Sequence, residues 1–199
     1  MPRHKDVERE QVMSDTRQRL LDSAIEHFAR DGYAGANIND ISKSAGYAKG
    51  TIYNYFASKR ALMLALIEET ALLHFEFIAE RVYQEEDARN RMECFFKAGF
   101  DFVSTYLAKA QVMVNNLYGH DAEFKQVMFQ AYLPMFELVG KDILALGLSQ
   151  QVFRQVDPVS TTNLLMLAYL GIGSQVNDEG KTWVDAKEVA DFVLNSLQV

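Results

Sequence analysis

With one cysteine in 199 residues, Cys94, the chain can hold no internal disulfide framework. That usage fits a reducing, cytoplasmic setting. Cys94 precedes Phe95 and Phe96 and reads as a small buried hydrophobe rather than a redox sensor. No apolar run is long enough to span a bilayer, so no membrane partner is expected. The start, Met1 to Ser14, is charged and polar and lacks the apolar stretch of a secretory signal. His4, His27, His74 and His120 are scattered, without HExxH or paired Cys/His spacing, which argues against a metal site. GxGxxG, GxxxxGK and GxSxG are missing too, so neither a cofactor nor catalysis is expected. Glu85-Glu86-Asp87 is most simply a solvated turn. Repeats, low-complexity tracts and strong strand signals are lacking.

Positive charge is scarce: the net charge is −7. This argues against general coating of nucleic acid. The distribution is uneven, however. Residues 1–60 hold ten Lys/Arg against eight Asp/Glu, a balance of +2. Residues 61–199 hold ten against nineteen, a balance of −9. Hydrophobic residues make up 49%, so the chain is globular rather than disordered.

What is present concentrates between residues 37 and 59. Asn37 is a good N-cap, and Asp40 complements the exposed amides and the helix dipole. Ile38, Ile41 and Ala45 fall on one face of a short amphipathic helix. Gly46 reads as its stop and as the pivot of a tight turn, because a left-handed backbone is cheap for glycine. A second segment follows, from about Ala48 to Phe56, with Ile52 and Phe56 inward. Lys49, Thr51, Tyr53, Asn54 and Tyr55 remain for the outer surface, and Gly50 allows close backbone approach. Such a surface can reach phosphates, base edges and thymine methyls. Two tyrosines on a short helix also fit plain packing, but not together with the cap, the glycine turn and the following Ser58-Lys59. The arrangement is that of a DNA-binding helix-turn-helix, at 37–56.

The run Gly46-Tyr47-Ala48-Lys49-Gly50-Thr51-Ile52-Tyr53-Asn54-Tyr55-Phe56-Ala57-Ser58-Lys59 resembles the recognition helix of TetR-family transcriptional regulators. Thr16 to Ala24 and Phe28-Ala29-Arg30-Asp31-Gly32-Tyr33 look like that family's first helix and its glycine stop. Tyr47 and Ala48 depart from the commonest pattern, where a small aliphatic and a polar capping residue are usual. The resemblance covers about residues 14–73. It implies an all-α fold: a three-helix DNA-binding domain, then a C-terminal helical bundle that binds an effector and dimerises. The implied division is a tail at 1–13, the DNA-binding domain at 14–73 and the effector domain at 74–199.

The helical pattern agrees, with about nine helices. The first is expected at about Asp15–Asp31, and the fourth at about Lys59–Tyr83. Others are expected at about 88–107, 109–118, 121–146 (kinked at Pro134), 158–177 and 184–197. Asn177-Asp178-Glu179-Gly180 marks a turn. The leader, with Arg3, His4, Lys5 and Arg9, reads as a frayed tail, with reach into an adjacent groove as the alternative. No Pro/Gly-rich linker separates the domains, so a stiff connection is expected.

On this resemblance Thr16 and Arg17, at the start of the first helix, clamp phosphate. Lys49, Gly50, Thr51 and Asn54 face base edges or the adjacent backbone, while Tyr53, Tyr55 and Lys59 grip phosphates. The second domain is rich in Phe, Tyr and Met, most of them simply core. The family implies that some line an effector pocket, for which Phe96, Phe100, Tyr106, Met113, Asn116, Tyr118, Phe129, Tyr132, Phe136 and Tyr169 are the candidates. Leu164, Ala168, Gly171, Ile172 and Gln175, with Val189, Val193 and Leu197, read as the face of a homodimer. Two-fold pairing suits a short recognition helix, which reads too few base pairs alone. The expected partners are thus double-stranded operator DNA, a small hydrophobic effector and a second copy. An acyl-CoA effector is the alternative, with Lys97, Lys109 and Arg154 as weak cation candidates. A helical carrier or enzyme without DNA binding is the remote one.

Overall fold

The computed structural model describes residues 2–177 and 181–199, with side chains from residue 7 onward. The turn expected at 177–180 therefore lies, past Asn177, outside the described residues, as do the side chains of Arg3, His4 and Lys5. Every named element is a helix: α1 (Pro2–Gly35), α2 (Ile38–Ser44), α3 (Lys59–Val82), α4 (Ala88–Thr105), α5 (Leu107–Tyr118), α6 (Ala122–Ala131), α7 (Leu133–Glu137), α8 (Ala145–Ser149), α9 (Pro158–Gly173) and α10 (Ala186–Leu197). A 3₁₀ turn at Thr51–Asn54 follows α2, and a π-helical stretch at Leu138–Leu144 joins α7 to α8. The chain divides into two compact units, one ending at Ile67 and one spanning Glu68–Val199.

In the first unit, Leu20, Leu21, Ala24, Ile25 and Phe28 form the buried stripe of α1. Ile41, Ile52, Phe56, Leu62 and Met63 complete that core. Gly32, at φ 68° and ψ 170°, breaks the helical path of α1. The beginning of α1 differs from expectation. It starts at Pro2, not near Asp15. Nothing between Pro2 and Gly32 breaks a helix, and Gln11 donates to Asp15 at 2.8 Å one turn on.

The second unit is a bundle in which α4 packs against α10, α5 and α9. Aspartates cap four of its helices. Asp87, Asp121, Asp157 and Asp185 each accept from amides of the following turn. The helix expected at 121–146 is divided instead of bent. Tyr132 separates α6 from α7, and Pro134 stands in the first turn of α7, where its missing N–H costs nothing. Cys94 is half-buried, and burial pushes its thiol up, which keeps it protonated.

Candidate nucleic-acid interface and effector cavity

The turn between α2 and the 3₁₀ segment is built by local bonds. Asn37 accepts from the Asn39 amide at 2.8 Å and so caps α2. Gly46 sits at φ 86°, a conformation that strains any residue with a Cβ. The Ser42 hydroxyl donates to the Ala48 carbonyl at 2.7 Å and closes the turn from beneath. The segment beyond is tighter than an α-helix. Its amides at Thr51, Tyr53 and Tyr55 bond three residues back. Ile52 and Phe56 anchor it in the core. Lys49, Gly50, Tyr53 and Asn54 are exposed, with Thr51 and Tyr55 half-exposed beside them. Arg17 lies behind, its guanidinium 5.3 Å from the centre of the Phe56 ring.

Two residues expected at DNA are engaged internally. Thr16 lies deep within α1 instead of at a helix start, and it is buried. Its hydroxyl donates to the Val12 carbonyl at 2.8 Å and accepts from Tyr47 at 3.3 Å. Tyr47, the departure from the usual pattern, thus ties the turn to α1. Lys59 directs its ammonium at the end of α1, donating to Ala34 O at 3.0 Å and Ala36 O at 2.6 Å. The Tyr33 ring lies 4.9 Å from the same nitrogen. The charge satisfies carbonyls at a helix C-terminus, where a cation is favoured.

The second unit holds a partly open cavity of about 120 Å³. Of the candidates, Met113, Phe129, Tyr132, Phe136 and Tyr169 line it, together with His74, Phe102, Val103, Ala110, Val114, Leu117, Lys125, Met128, Leu170, Gly173 and Ser174. Of the other candidates, Phe96 and Phe100 are packed in the core and Tyr118 is exposed. Tyr106 instead meets Phe77 edge to face and lies tilted against Phe102. Asn116 spends its amide on the Val112 carbonyl at 2.7 Å.

The cavity's polar feature is a buried chain of three side chains. His74 Nδ1 lies 2.9 Å from the Tyr132 hydroxyl, and Nε2 lies 2.6 Å from that of Tyr169. The Phe102 ring stacks on the imidazole at 4.0 Å and 14°, fixing its plane. Burial lowers the His74 pKa to about 3, so the ring is neutral. Burial raises both phenols above their usual range. Tyr169 fits against α4 only because residue 99 is glycine, since a Cβ there would overlap its ring. No spacing in the sequence signals this cluster.

The face expected to pair two copies is only partly on the surface. Leu164 is 67% exposed, Ala168, Gly171 and Ile172 are half-exposed on α9, and Gln175 is exposed just beyond its end. Val189, Val193 and Leu197 are not available, because they form the stripe by which α10 packs against α4. A helix with one apolar stripe spends it within the chain. On these two helices Val159, Leu164, Leu167 and Phe192 are the large apolar side chains left exposed.

Among the described residues no helix is long and apolar enough to cross a membrane, and no group of three His, Cys, Asp or Glu could hold a metal.

Residues 20–66 match the sequence family described as bacterial regulatory proteins, tetR family. The chain is 26% identical over 186 residues to the uncharacterized HTH-type transcriptional regulator YvdT of Bacillus subtilis, covering 90% of this chain and 94% of that one. The fold resembles the transcriptional regulator FadR of Bacillus subtilis in complex with stearoyl-CoA, with a TM-score of 0.78, 21% identity, and coverage of 89% and 95%. It also resembles AibR in complex with isovaleryl coenzyme A and operator DNA, with a TM-score of 0.73, 16% identity, and coverage of 92% and 98%. The all-helical fold, the helix-turn-helix and these likenesses lead to one assignment: residues 20–66 are a TetR-family DNA-binding region, and the chain is similar over most of its length to transcriptional regulators.

Proposed function

We propose that the protein is a cytoplasmic repressor that binds a palindromic operator as a homodimer and leaves it when a small, largely apolar molecule enters the cavity. DNA binding is assigned to residues 14–73, and effector binding and pairing to 74–199. The observation that carries the reading is the outward face at Lys49, Gly50, Thr51, Tyr53, Asn54 and Tyr55, held by the Gly46 turn. Lys49, Gly50, Thr51 and Asn54 face base edges, and Tyr53, Tyr55 and Arg17 serve phosphates. Thr16 and Lys59 support that surface from within.

The pairing face is revised to Leu164, Leu167, Ala168, Gly171 and Ile172 of α9 with Phe192 of α10. Exposed leucines one turn apart and a neighbouring phenylalanine are apolar surface that a second copy would cover. Effector binding need only favour a spacing of the two recognition segments that does not fit DNA. The shift cannot exceed the effector's preference between the two states.

A second reading, an acyl-CoA effector, draws on Lys125, an exposed cation in the cavity lining. Lys97, Lys109 and Arg154 do not line that cavity. FadR and AibR were each solved with a coenzyme A thioester.

The test is to incubate the protein with sheared genomic DNA of its source and to sequence what is retained. Enrichment of a few palindromic sites is expected, and their neighbouring genes would indicate the effector class. Retention of DNA without sequence preference would contradict the operator reading.

A further inference from the structure

The cavity has a stoichiometry of protons that selects its ligand. A neutral imidazole has one N–H and one bare nitrogen, and each phenol has one O–H. His74, Tyr132 and Tyr169 thus hold three polar protons between them. Their two contacts, at 2.9 and 2.6 Å, use two. If Nδ1 carries the ring proton, it donates to Tyr132, Tyr169 donates to Nε2, and the Tyr132 O–H is left. In the other tautomer the Tyr169 O–H is left. One phenolic O–H is therefore surplus in either case. Neither phenol has another hydrogen-bond partner among the described residues, and both side chains line the cavity.

We infer that the effector carries a proton-free neutral acceptor, a ketone, ester or thioester carbonyl oxygen, which receives this surplus hydroxyl proton while a small apolar body fills the space around it. The inference rests on reading the cavity as the effector site. A buried donor left unmet costs about 1–3 kcal/mol, so the site discriminates for an acceptor at that point. The remaining wall is apolar, with Phe102, Val103, Met113, Val114 and Met128 among it. A bare carboxylate is disfavoured there, because the ring it would approach is neutral and desolvation would go uncompensated. Lys125 is exposed, so it can meet only an anionic group that projects outward. Size narrows the class further. A dry cavity of roughly 150 Å³ admits benzene. A cavity of about 120 Å³ that is open on one side therefore seats the carbonyl with a body of that size around it, such as a short branched acyl group or a small ring, and lets any longer part of the ligand project outward.

The test compares cyclopentanone with methylenecyclopentane, which differ only in C=O against C=CH2. Both affinities are measured on the protein and on the His74→Leu/Tyr132→Phe/Tyr169→Phe variant, which removes both hydroxyls together with the ring N–H that would otherwise become the unmet donor. The differing hydration of the two probes cancels between proteins. The ratio of Kd values should move about tenfold against the ketone in the variant, as expected for loss of one buried hydrogen bond. In the unaltered protein the C=O stretch of bound cyclopentanone should fall below its value in an alkane, a readout that needs no variant. Equal ratios, or an alkane-like stretch, would overturn the inference and leave the cavity as effector site. Failure of both probes to bind, with genomic sites still retained, would overturn the inference and the cavity reading together while DNA binding stands.

Discussion

The two units use tyrosine in opposite ways. Tyr53 is 50% exposed on a surface segment, whereas Tyr132 and Tyr169 are 8% and 3% exposed around a buried imidazole. A phenol in water serves a charged polymer through many weak, salt-sensitive contacts. A desolvated phenol serves a small ligand through one directional bond. Selectivity in the first unit is therefore spread over a face, and in the second it is concentrated in a proton. Side chains of the outer face should be replaceable at little cost in stability, whereas replacements in the inner cluster should cost measurably more.

The strongest break of this comparison is at the one outer face of the second unit. Leu167→Glu with Phe192→Glu would place carboxylates in the proposed pairing surface, at several kcal/mol each if buried unpaired. Sedimentation should then show a monomer with operator affinity lost. A dimer that persists would move the interface elsewhere.

Acid should act next, through the buried ring. Burial depresses the His74 pKa from its ordinary 6.5 to about 3. The unfolded state then binds the extra proton, so this contribution is intact above pH 6.5 and declines as pH falls toward 3. The slope from this group is about 1.4 kcal/mol per pH unit within that window. His74→Gln should flatten it, as read by denaturant unfolding across pH. Gly99→Ala follows, at about 1–3 kcal/mol, because the added methyl displaces Tyr169 from α4. Carbonyl preference should fall with it.

The smallest effects separate two lysines. Lys59→Ala should cost the first unit about 1–2 kcal/mol, since it strands two carbonyls at the end of α1. Lys49→Ala should leave stability within about 0.5 kcal/mol and lower the slope of log affinity against log salt by about 0.9. Equal behaviour of the two would undo the division between supporting and contacting residues.

How far each unit could be read in advance follows from the same contrast. The cap at Asn37, the left-handed Gly46 and the buried pair Ile52 and Phe56 are signals a few residues apart, and the structure places each as the spacing implied. Thr16 stands well inside α1, because the helix runs on N-terminally past the family-like stretch, and no local signal marks that extension. Lys59 donates to carbonyls 25 and 23 residues away, which no local spacing reveals. In the bundle, apolar periodicity marks burial but not what does the burying. Hence Val189 and Val193, buried within the chain, looked like a surface for a partner. His74 gave no local signal at all, for its partners lie 58 and 95 residues away.

The central claim is that the segment after Gly46 reads DNA. A hydroxyl-radical footprint on a retained genomic fragment tests it most directly, run with the protein and with Lys49→Ala. The account predicts two symmetric protections, with half-site centres about 10 base pairs or a multiple apart, weakened in the variant. A single unsymmetric protection, or one unchanged by the substitution, would contradict it.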